Sequence, residues 1–353
     1  MHGLDIMSPS TRELRIVSLL PSITEVLSAL GVDHQIVGIT HECDYPERAL
    51  EGATVVTVSD ISPHKMTQEE IHQQVTGSLM QGHSLYGLNG DVLRSLKPDI
   101  IFTQSLCDVC AVSYPVVTST CAKIFGGENE SNGSSSPKIV SLEPNNLKDV
   151  LDTFLVAGRA LDLPPARSQQ LVDKLQTDLD FIRRTVNEHL ARQRSSPQKR
   201  PLVAFLEWHD PFFSGGHWIP DLMDIAGCDY TMCKSGDRSA AVTDDDLQTM
   251  DPDFILIGPC GFSVERAFED TKRLLKGDGN KRRTWWKSMR AVKNDNVFAL
   301  DGNSFYARPG PRLVQGCGLI ARCVHGEQVG GILGEDLAPS FGMRRVTVET
   351  YED

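Results

Sequence analysis

Leu96-Lys97-Pro98-Asp99-Ile100-Ile101-Phe102 and Asp251-Pro252-Asp253-Phe254-Ile255-Leu256-Ile257 are two versions of one unit. Each follows a short helical stretch, turns on Pro-Asp, and enters a run of apolar residues of strand length. Upstream of the first, Arg15-Ile16-Val17-Ser18-Leu19-Leu20 reads as a strand that Pro21-Ser22 breaks. Ser22, with Glu25 three residues on, has the spacing of a capping box. Val26, Leu27 and Leu30 then recur at helical spacing up to Gly31. Ile36–Ile39 and the β-branched run Thr54–Val58 predict further strands, and Thr67–Met80 and Gly90–Leu96 predict helices. Upstream of the second unit the order returns. Leu202-Val203-Ala204-Phe205-Leu206 is a strand, His217-Trp218-Ile219-Pro220 opens a helix that ends at Gly227, and Thr243-Asp244 caps a helix ending near Met250.

Strands alternating with helices predict a parallel α/β sheet, and the repeated order predicts two such lobes rather than a solenoid. Between them, residues 147–194 are helical in pattern, with Pro164-Pro165 dividing a shorter helix from a long one over Ala166–Arg194. Such a helix suits a spine between lobes. The expected division is a tail at 1–14, an α/β lobe at 15–145, a helical linker at 146–196, a second α/β lobe at 197–328 and a tail at 329–353. Glu128–Pro137 is rich in Gly, Ser and Asn and reads as a dispensable loop.

A chain of 353 residues exceeds what one core usually serves, which agrees with two lobes. With 40% hydrophobic and 23% charged residues, each lobe can bury a core. The formal net charge of −12 speaks against a nucleic-acid partner. No apolar run is long enough for a transmembrane helix. Residues 1–13 are polar, without the basic and apolar regions of an export signal, and the first cysteine is Cys43. These features lead to the expectation of a cytoplasmic protein. There the nine cysteines would be free thiols or metal ligands.

Ligands of open α/β sheets sit at the carboxyl ends of strands. Five predicted strands end in loops bearing donor groups: His41-Glu42-Cys43; Gln104, Cys107 and Cys110; Glu143; Glu207-Trp208; and Cys260. Cys107-x-x-Cys110 is a chelating spacing, although a redox pair or two buried thiols read equally well from it. With Cys43 and Cys260 it gives four thiolates, which suit Zn or an Fe–S cluster better than Mg or Ca. His41, His209 and His217 are the imidazole candidates, each also readable as a hydrogen-bonded structural residue. Glu143 and Glu207 are candidate ligand-gripping carboxylates. Trp208, Trp218 and Tyr306, with Phe212 and Phe213, can build an aromatic wall for a flat macrocycle or pack as core. In Arg308-Pro309-Gly310-Pro311-Arg312, stiff prolines fix two guanidinium groups, suited to clamping the carboxylates or phosphates of a chelate or to a fold-locking salt bridge.

The segment order resembles the iron/cobalamin type of periplasmic-binding protein, the helical-backbone metal receptor family. The resemblance is carried by Arg15-Ile16-Val17-Ser18-Leu19-Leu20-Pro21-Ser22-Ile23-Thr24-Glu25, the two Pro-Asp-strand units and the long helix between them, and covers about Arg15 to Val324. His41-Glu42-Cys43-Asp44-Tyr45-Pro46, Cys107-Asp108-Val109-Cys110, Ser141-Leu142-Glu143-Pro144, Gly216-His217-Trp218-Ile219-Pro220, Pro259-Cys260-Gly261-Phe262 and the Arg308–Arg312 segment resemble a signal-less, cobalamin-binding-like branch related to ABC-transporter substrate-binding proteins. The resemblance implies the class III periplasmic-binding-protein fold, two Rossmann-like lobes joined by a long backbone helix. It also implies a metal ion or metal chelate (cobalamin, haem or similar) in the cleft between lobes.

The expectation is therefore a binding protein rather than an enzyme. No Gly-rich phosphate loop, Gly-x-Ser-x-Gly elbow or His-Glu-x-x-His helix is present. The alternative is a metal- or Fe–S-dependent or thiol redox enzyme on the same fold. A third reading is metal sensing or chaperoning with a protein partner.

Overall fold

A computed structural model describes residues 13–59, 66–80, 85–105, 114–125, 136–192, 199–277, 284–327, 329, 342–347 and 349–350. Most of the Gly/Ser/Asn-rich stretch, and with it Cys107 and Cys110, lies outside them.

In chain order the elements begin with β1 (Ile16–Ser18), α1 (Pro21–Ala29), β2 (Ile36–Ile39), α2 (Glu47–Leu50), β3 (Thr54–Val55) and β4 (Thr57–Ser59). Next come α3 (Gln68–Met80), β5 (Tyr86–Leu88), α4 (Gly90–Leu96), β6 (Ile100–Thr103), α5 (Tyr114–Phe125) and β7 (Lys138–Ser141). The second half holds α6 (Leu147–Ala160), α7 (Pro165–Arg192), β8 (Val203–His209), β9 (Phe212–Ser214), α8 (Ile219–Ile225), α9 (Asp244–Met250), β10 (Phe254–Ile257) and α10 (Val264–Lys276). It closes with α11 (Arg290–Lys293), β11 (Val297–Leu300), α12 (Gly302–Phe305), α13 (Leu313–His325) and β12 (Met343–Val346).

The chain forms two compact units. The first has a five-stranded sheet in the order β3-β2-β1-β6-β7, every neighbouring pair parallel, and a small antiparallel β4-β5 pair. Val17, Leu19, Ile101, Leu93, Val117 and Cys121 form its core. The second has a five-stranded sheet in the order β12-β11-β10-β8-β9, with β8, β10 and β11 parallel and the two edge strands antiparallel. Among the described residues no strand is shared between the two sheets, as the repeated sequence order predicts.

The Pro-Asp units explain how each central strand pair is set. α4 and α9 both end in a left-handed residue, Lys97 at φ 45° and Asp251 at φ 38°. The proline that follows prevents the helix from continuing. The aspartate then clasps the start of the neighbouring strand. The amide of Arg15 donates to Asp99 Oδ2 at 2.8 Å, and the amide of Asp99 donates back to the Arg15 carbonyl at 2.9 Å. In the second unit, Leu202 donates to Asp253 Oδ2 at 2.9 Å and Asp253 returns a bond of 2.8 Å. A weak likeness in sequence is thus a repeated set of hydrogen bonds.

Local expectations differ in two places. The cap of α1 is Leu20 without a side-chain bond, because Pro21 takes the first helical turn and Ser22 is already inside the helix. Thr243 does form the expected cap, in a reciprocal box with Asp246. The units also divide the chain differently from the expected lobes and linker. Residues 66–80 belong with the second unit, and so does everything described from Glu143 onward. The physical reason is burial. The 28-residue α7 puts Leu175, Leu179, Ile182 and Val186 inward and packs on α6, α8 and α13. The spine helix is therefore a working part of the second unit's core rather than a bare connector.

Candidate functional site

In the first unit the strand order reverses direction between β1 and β6, the switch point where open α/β sheets place their ligands. Beside it, the loop after β2 is held by hydroxyl groups. Thr40 donates its amide to the Ser18 carbonyl at 3.0 Å, and the Cys43 amide donates to the Thr40 carbonyl at 3.1 Å. Ser18 Oγ lies 2.7 Å from Thr24 Oγ1, which in turn lies 3.1 Å from the half-buried Cys43 thiol.

His41 is oriented by Thr57. The Thr57 hydroxyl donates to Thr40 Oγ1 at 3.1 Å and accepts from the His41 amide at 2.9 Å. Its single proton is then committed, so the 2.7 Å contact to His41 Nδ1 is a bond in which the ring donates. The other ring nitrogen, Nε2, is buried and has no hydrogen-bond partner. The Glu42 carboxylate lies 3.2 Å from it but outside hydrogen-bonding geometry. Nε2 thus faces the Glu42 carboxylate, and the pair can share either a proton or a cation.

In the second unit, β8 ends in Glu207, Trp208 and His209, β10 in Gly258-Pro259-Cys260, and β11 in Asp301-Gly302-Asn303. Adjacent loops are bonded together. The Cys260 amide donates to the Glu207 carbonyl at 3.1 Å, and Asn303 donates to the Phe262 carbonyl at 3.1 Å. Gly302 is required here, since a Cβ would fall within 2.6 Å of the Gly258 carbonyl oxygen. Trp208 is half-buried with its ring 5.4 Å from that of Phe262, over which Arg266 lies at 4.7 Å. Arg308 is buried and donates to Asn303 Oδ1 at 2.9 Å. Burial raises the Asp301 carboxyl above the usual range, opposed by bonds from Ser304 and by the charges of Arg312 and Arg308.

The expected site residues divide as follows. His41 and Cys43 share a strand-end loop of the first unit, and Glu143 follows β7 as an exposed carboxylate. Glu207, Trp208, Cys260 and Arg308 share the carboxyl rim of the second. Trp218 and Tyr306 do not form an aromatic wall. They are 6% and 3% exposed, with Trp218 Nε1 donating to the Tyr306 carbonyl at 2.8 Å and the Tyr306 hydroxyl to the Gly316 carbonyl at 3.0 Å. Phe212 is core as well. Arg312 lies over the Phe305 ring at 5.7 Å.

His217 has a left-handed backbone at φ 54° and stacks near Trp218. Burial, then the charge of Arg238, pulls its pKa below the usual 6.5. His209 is buried, with its ring against Gln68. Among the described residues, no three His, Cys, Asp or Glu groups gather as a metal centre. Of the four expected thiolates, Cys43 and Cys260 are half-buried free thiols, and Cys107 and Cys110 lie outside the described residues. Thr57 and Asn303 were not singled out by their sequence. Thr57 sits in a run whose β-branching signals a strand and hides the hydroxyl's role.

The sequence profile of the periplasmic binding protein family matches residues 16–303. The chain belongs to this family. A curated relative, the uncharacterized ABC transporter substrate-binding lipoprotein YvrC of Bacillus subtilis (strain 168), is 20% identical over 315 residues, 88% of this chain and 80% of the relative. Solved structures share the fold. A possible iron-binding periplasmic solute-binding protein of Staphylococcus epidermidis ATCC 12228 has a TM-score of 0.60 at 20% identity, covering 89% of this chain and 99% of its own. The periplasmic vitamin B12 binding protein BtuF of Vibrio cholerae has a TM-score of 0.56 at 17% identity, covering 88% and 97%. A periplasmic heme-binding protein of Pseudomonas aeruginosa has a TM-score of 0.60 at 18% identity, covering 88% and 92%.

Membership overturns the expectation of a cytoplasmic protein, because the family is periplasmic and the curated relative is a lipoprotein. That expectation rested on the polarity of residues 1–13 and on Cys43 being the first cysteine.

Proposed function

We propose that this periplasmic binding protein captures a metal ion or a metal chelate, of the corrinoid, haem or iron type, for an ABC transporter. The observation that carries the metal is His41. One ring nitrogen is fixed by Thr57 while Nε2 is left without a hydrogen bond beside the Glu42 carboxylate. A ring held this way has its tautomer set and its lone pair ready for a cation. The family and the ligands named for its structural relatives support a metal-bearing cargo. In the first unit the loop His41–Cys43 supplies the donors. Taken by itself, the second unit carries the half-buried Trp208 ring, Glu207 and Cys260 at its carboxyl rim.

The test is metal analysis and an absorption spectrum of freshly purified protein, followed by titration calorimetry with cyanocobalamin, haemin, ferric citrate and zinc. Stoichiometric binding of one of these, weakened at least tenfold by His41→Ala, is the expected result. A protein that carries no metal and binds none of the four overturns the reading. Turnover of a bound chelate would favour an enzyme on this fold instead.

A further inference from the structure

The second sheet ends on β12, which pairs with β11 on one side and, among the described residues, with no strand on the other. The Asp301 amide donates to the Gly342 carbonyl at 2.9 Å, and this bond sets the phase of the ladder. In an antiparallel pair, residues that bond the partner alternate with residues that turn their backbone groups away. Leu300 stands opposite Met343 and Val297 opposite Val346, so Arg344 and Val346 bond β11 while Met343 and Arg345 face the open edge. A cleft of about 470 Å³ is lined here by Arg344 and Arg345, by Arg322 and Glu327 around the end of α13, by Phe268 of α10 and by Phe298 of β11.

The cleft is positive in a protein whose formal net charge is −12. Arg322 is not the source, because its Nε and Nη2 both donate to Glu327 Oε1, at 2.9 and 2.7 Å. The excess comes from Arg344 and Arg345, whose guanidinium groups have no hydrogen-bond or ion-pair partner among the described residues. Each lies instead on a buried phenyl ring. Arg344 is 3.7 Å from the Phe268 centroid and Arg345 4.9 Å from that of Phe298. Stacking takes up the face of a guanidinium and fixes its plane, and leaves the in-plane N–H groups free to donate. Successive strand residues point to opposite faces, so the two forks flank the open edge with the outward Arg345 amide between them. Charged residues on an edge strand can also serve to keep other strands away. Such a guard needs only a solvated charge, whereas both guanidinium planes here are set by rings and border one cleft.

We propose that the cleft at β12 binds a small oxyanion with several carboxylate or phosphate groups. Arg344 and Arg345 each take one group through a bidentate contact, and the Arg345 amide adds a donor. The volume suits a molecule of tricarboxylate or pyrophosphate size and upward. The site is separate from the carboxyl rim of the same unit. β11 and β10 stand between β12 and β8, and none of Glu207, Trp208 and Cys260 lines the cleft. Glu327 is the one carboxylate among the lining groups, and its charge opposes the incoming anion.

The experiment is titration calorimetry of the full chain, stripped of metal on a chelating resin, with tricarballylate and with pyrophosphate at fixed ionic strength. Saturable binding at one site per chain is expected for at least one of them, and the tighter of the two tells carboxylate from phosphate. Arg344→Gln and Arg345→Gln should each weaken it about tenfold. Arg345 is exposed, so its replacement should not disturb folding, which melting curves check. Arg344→Lys keeps the charge but loses the fork, and should fall between wild type and Arg344→Gln. Glu327→Gln removes the opposing carboxylate and releases Arg322, so binding should tighten. Arg192→Gln, which removes an exposed charge at the end of α7, should stay within about twofold of wild type. Absence of saturable binding for both anions, equal losses in Arg192→Gln and Arg344→Gln, or an affinity that neither Arg344→Gln nor Arg345→Gln changes overturns the proposal.

Discussion

The hydroxyl of Thr57 accepts hydrogen bonds from both the backbone amide and Nδ1 of His41, at 2.9 and 2.7 Å. Thr57 is 5% exposed, and it passes its own proton to Thr40. One buried hydroxyl therefore sets the loop after β2 and the tautomer of the ring at its tip.

Thr57→Val keeps the shape and β-branching of the side chain and removes the acceptor. It should cost about 1–3 kcal/mol, because a backbone N–H and a ring N–H lose their partner while buried. It should also free the His41 ring to rotate. Urea unfolding measures the first effect. The second appears as weaker metal or chelate binding, with the loss larger than in a Thr40→Val control.

Trp218→Phe separates a core residue from a ligand wall. The indole Nε1 bond to the Tyr306 carbonyl would be lost, with an expected destabilisation of about 1 kcal/mol. Ligand affinity should remain within about twofold of wild type at a temperature where both are folded. A large loss of affinity with unchanged stability would return Trp218 to the binding surface. Trp208→Ala is expected to behave in the opposite way, with a modest change in stability and a clear loss of chelate binding.

Acid should weaken the second unit through its half-buried imidazoles. Burial pulls His325 below the usual 6.5, against the opposing bond to the Ala226 carbonyl, and does the same to His217 with help from Arg238. A histidine that resists its proton only in the folded state stabilises the fold above the unfolded value of 6.5. That contribution is lost as pH falls from there through the lower folded value. The melting temperature should therefore drop below about pH 6.5, and His325→Gln should flatten the drop by removing one of the two groups. A melting temperature that rises on acidification would contradict the assignment.

Gly216→Ala should be among the most damaging single-methyl changes. A Cβ there would lie 2.6 Å from the Asp237 carbonyl oxygen and from the Arg238 carbonyl carbon, both backbone atoms that cannot step aside. The expected cost is about 2–4 kcal/mol. Gly236→Ala has open space for its methyl and suffers only from its left-handed φ of 85°, so its cost should be smaller. Thermal melts of the two variants side by side decide it.

The fold was legible where a residue's local chemistry and its tertiary role coincide. Pro98-Asp99 and Pro252-Asp253 stop a helix and begin a strand by steric rules that need no context. The apolar runs Ile100–Phe102 and Phe254–Ile257 are strands of a buried parallel sheet. The site was legible only in outline, because strand-end position can be read from a sequence and side-chain direction cannot. Trp218 and Trp208 look alike in sequence, yet one is sealed against Tyr306 and the other stands half-open at the rim. Gln68 gave no signal at all. Its partner lies 141 residues away and is chosen by the packing of α3 against a unit that its sequence neighbours do not join.

Asp99 and Asp253 lie at the amino ends of their sheets, and every donor candidate on β2, β6, β8 and β10 lies at the carboxyl ends. The two rims are nevertheless linked by register. Asp99 fixes where β6 begins beside β1, and Asp253 where β10 begins beside β8. A slip of one residue would turn every side chain to the opposite face. The amino rim is thus the datum from which the ligand rim is measured. Gln104 and Cys260 occupy their positions because a carboxylate at the other end of the strand holds the zero mark. A screen for binding-defective variants should accordingly recover substitutions at both rims. Those at Asp99 and Asp253 should change affinity without touching cargo, and should not be rescued by a better ligand.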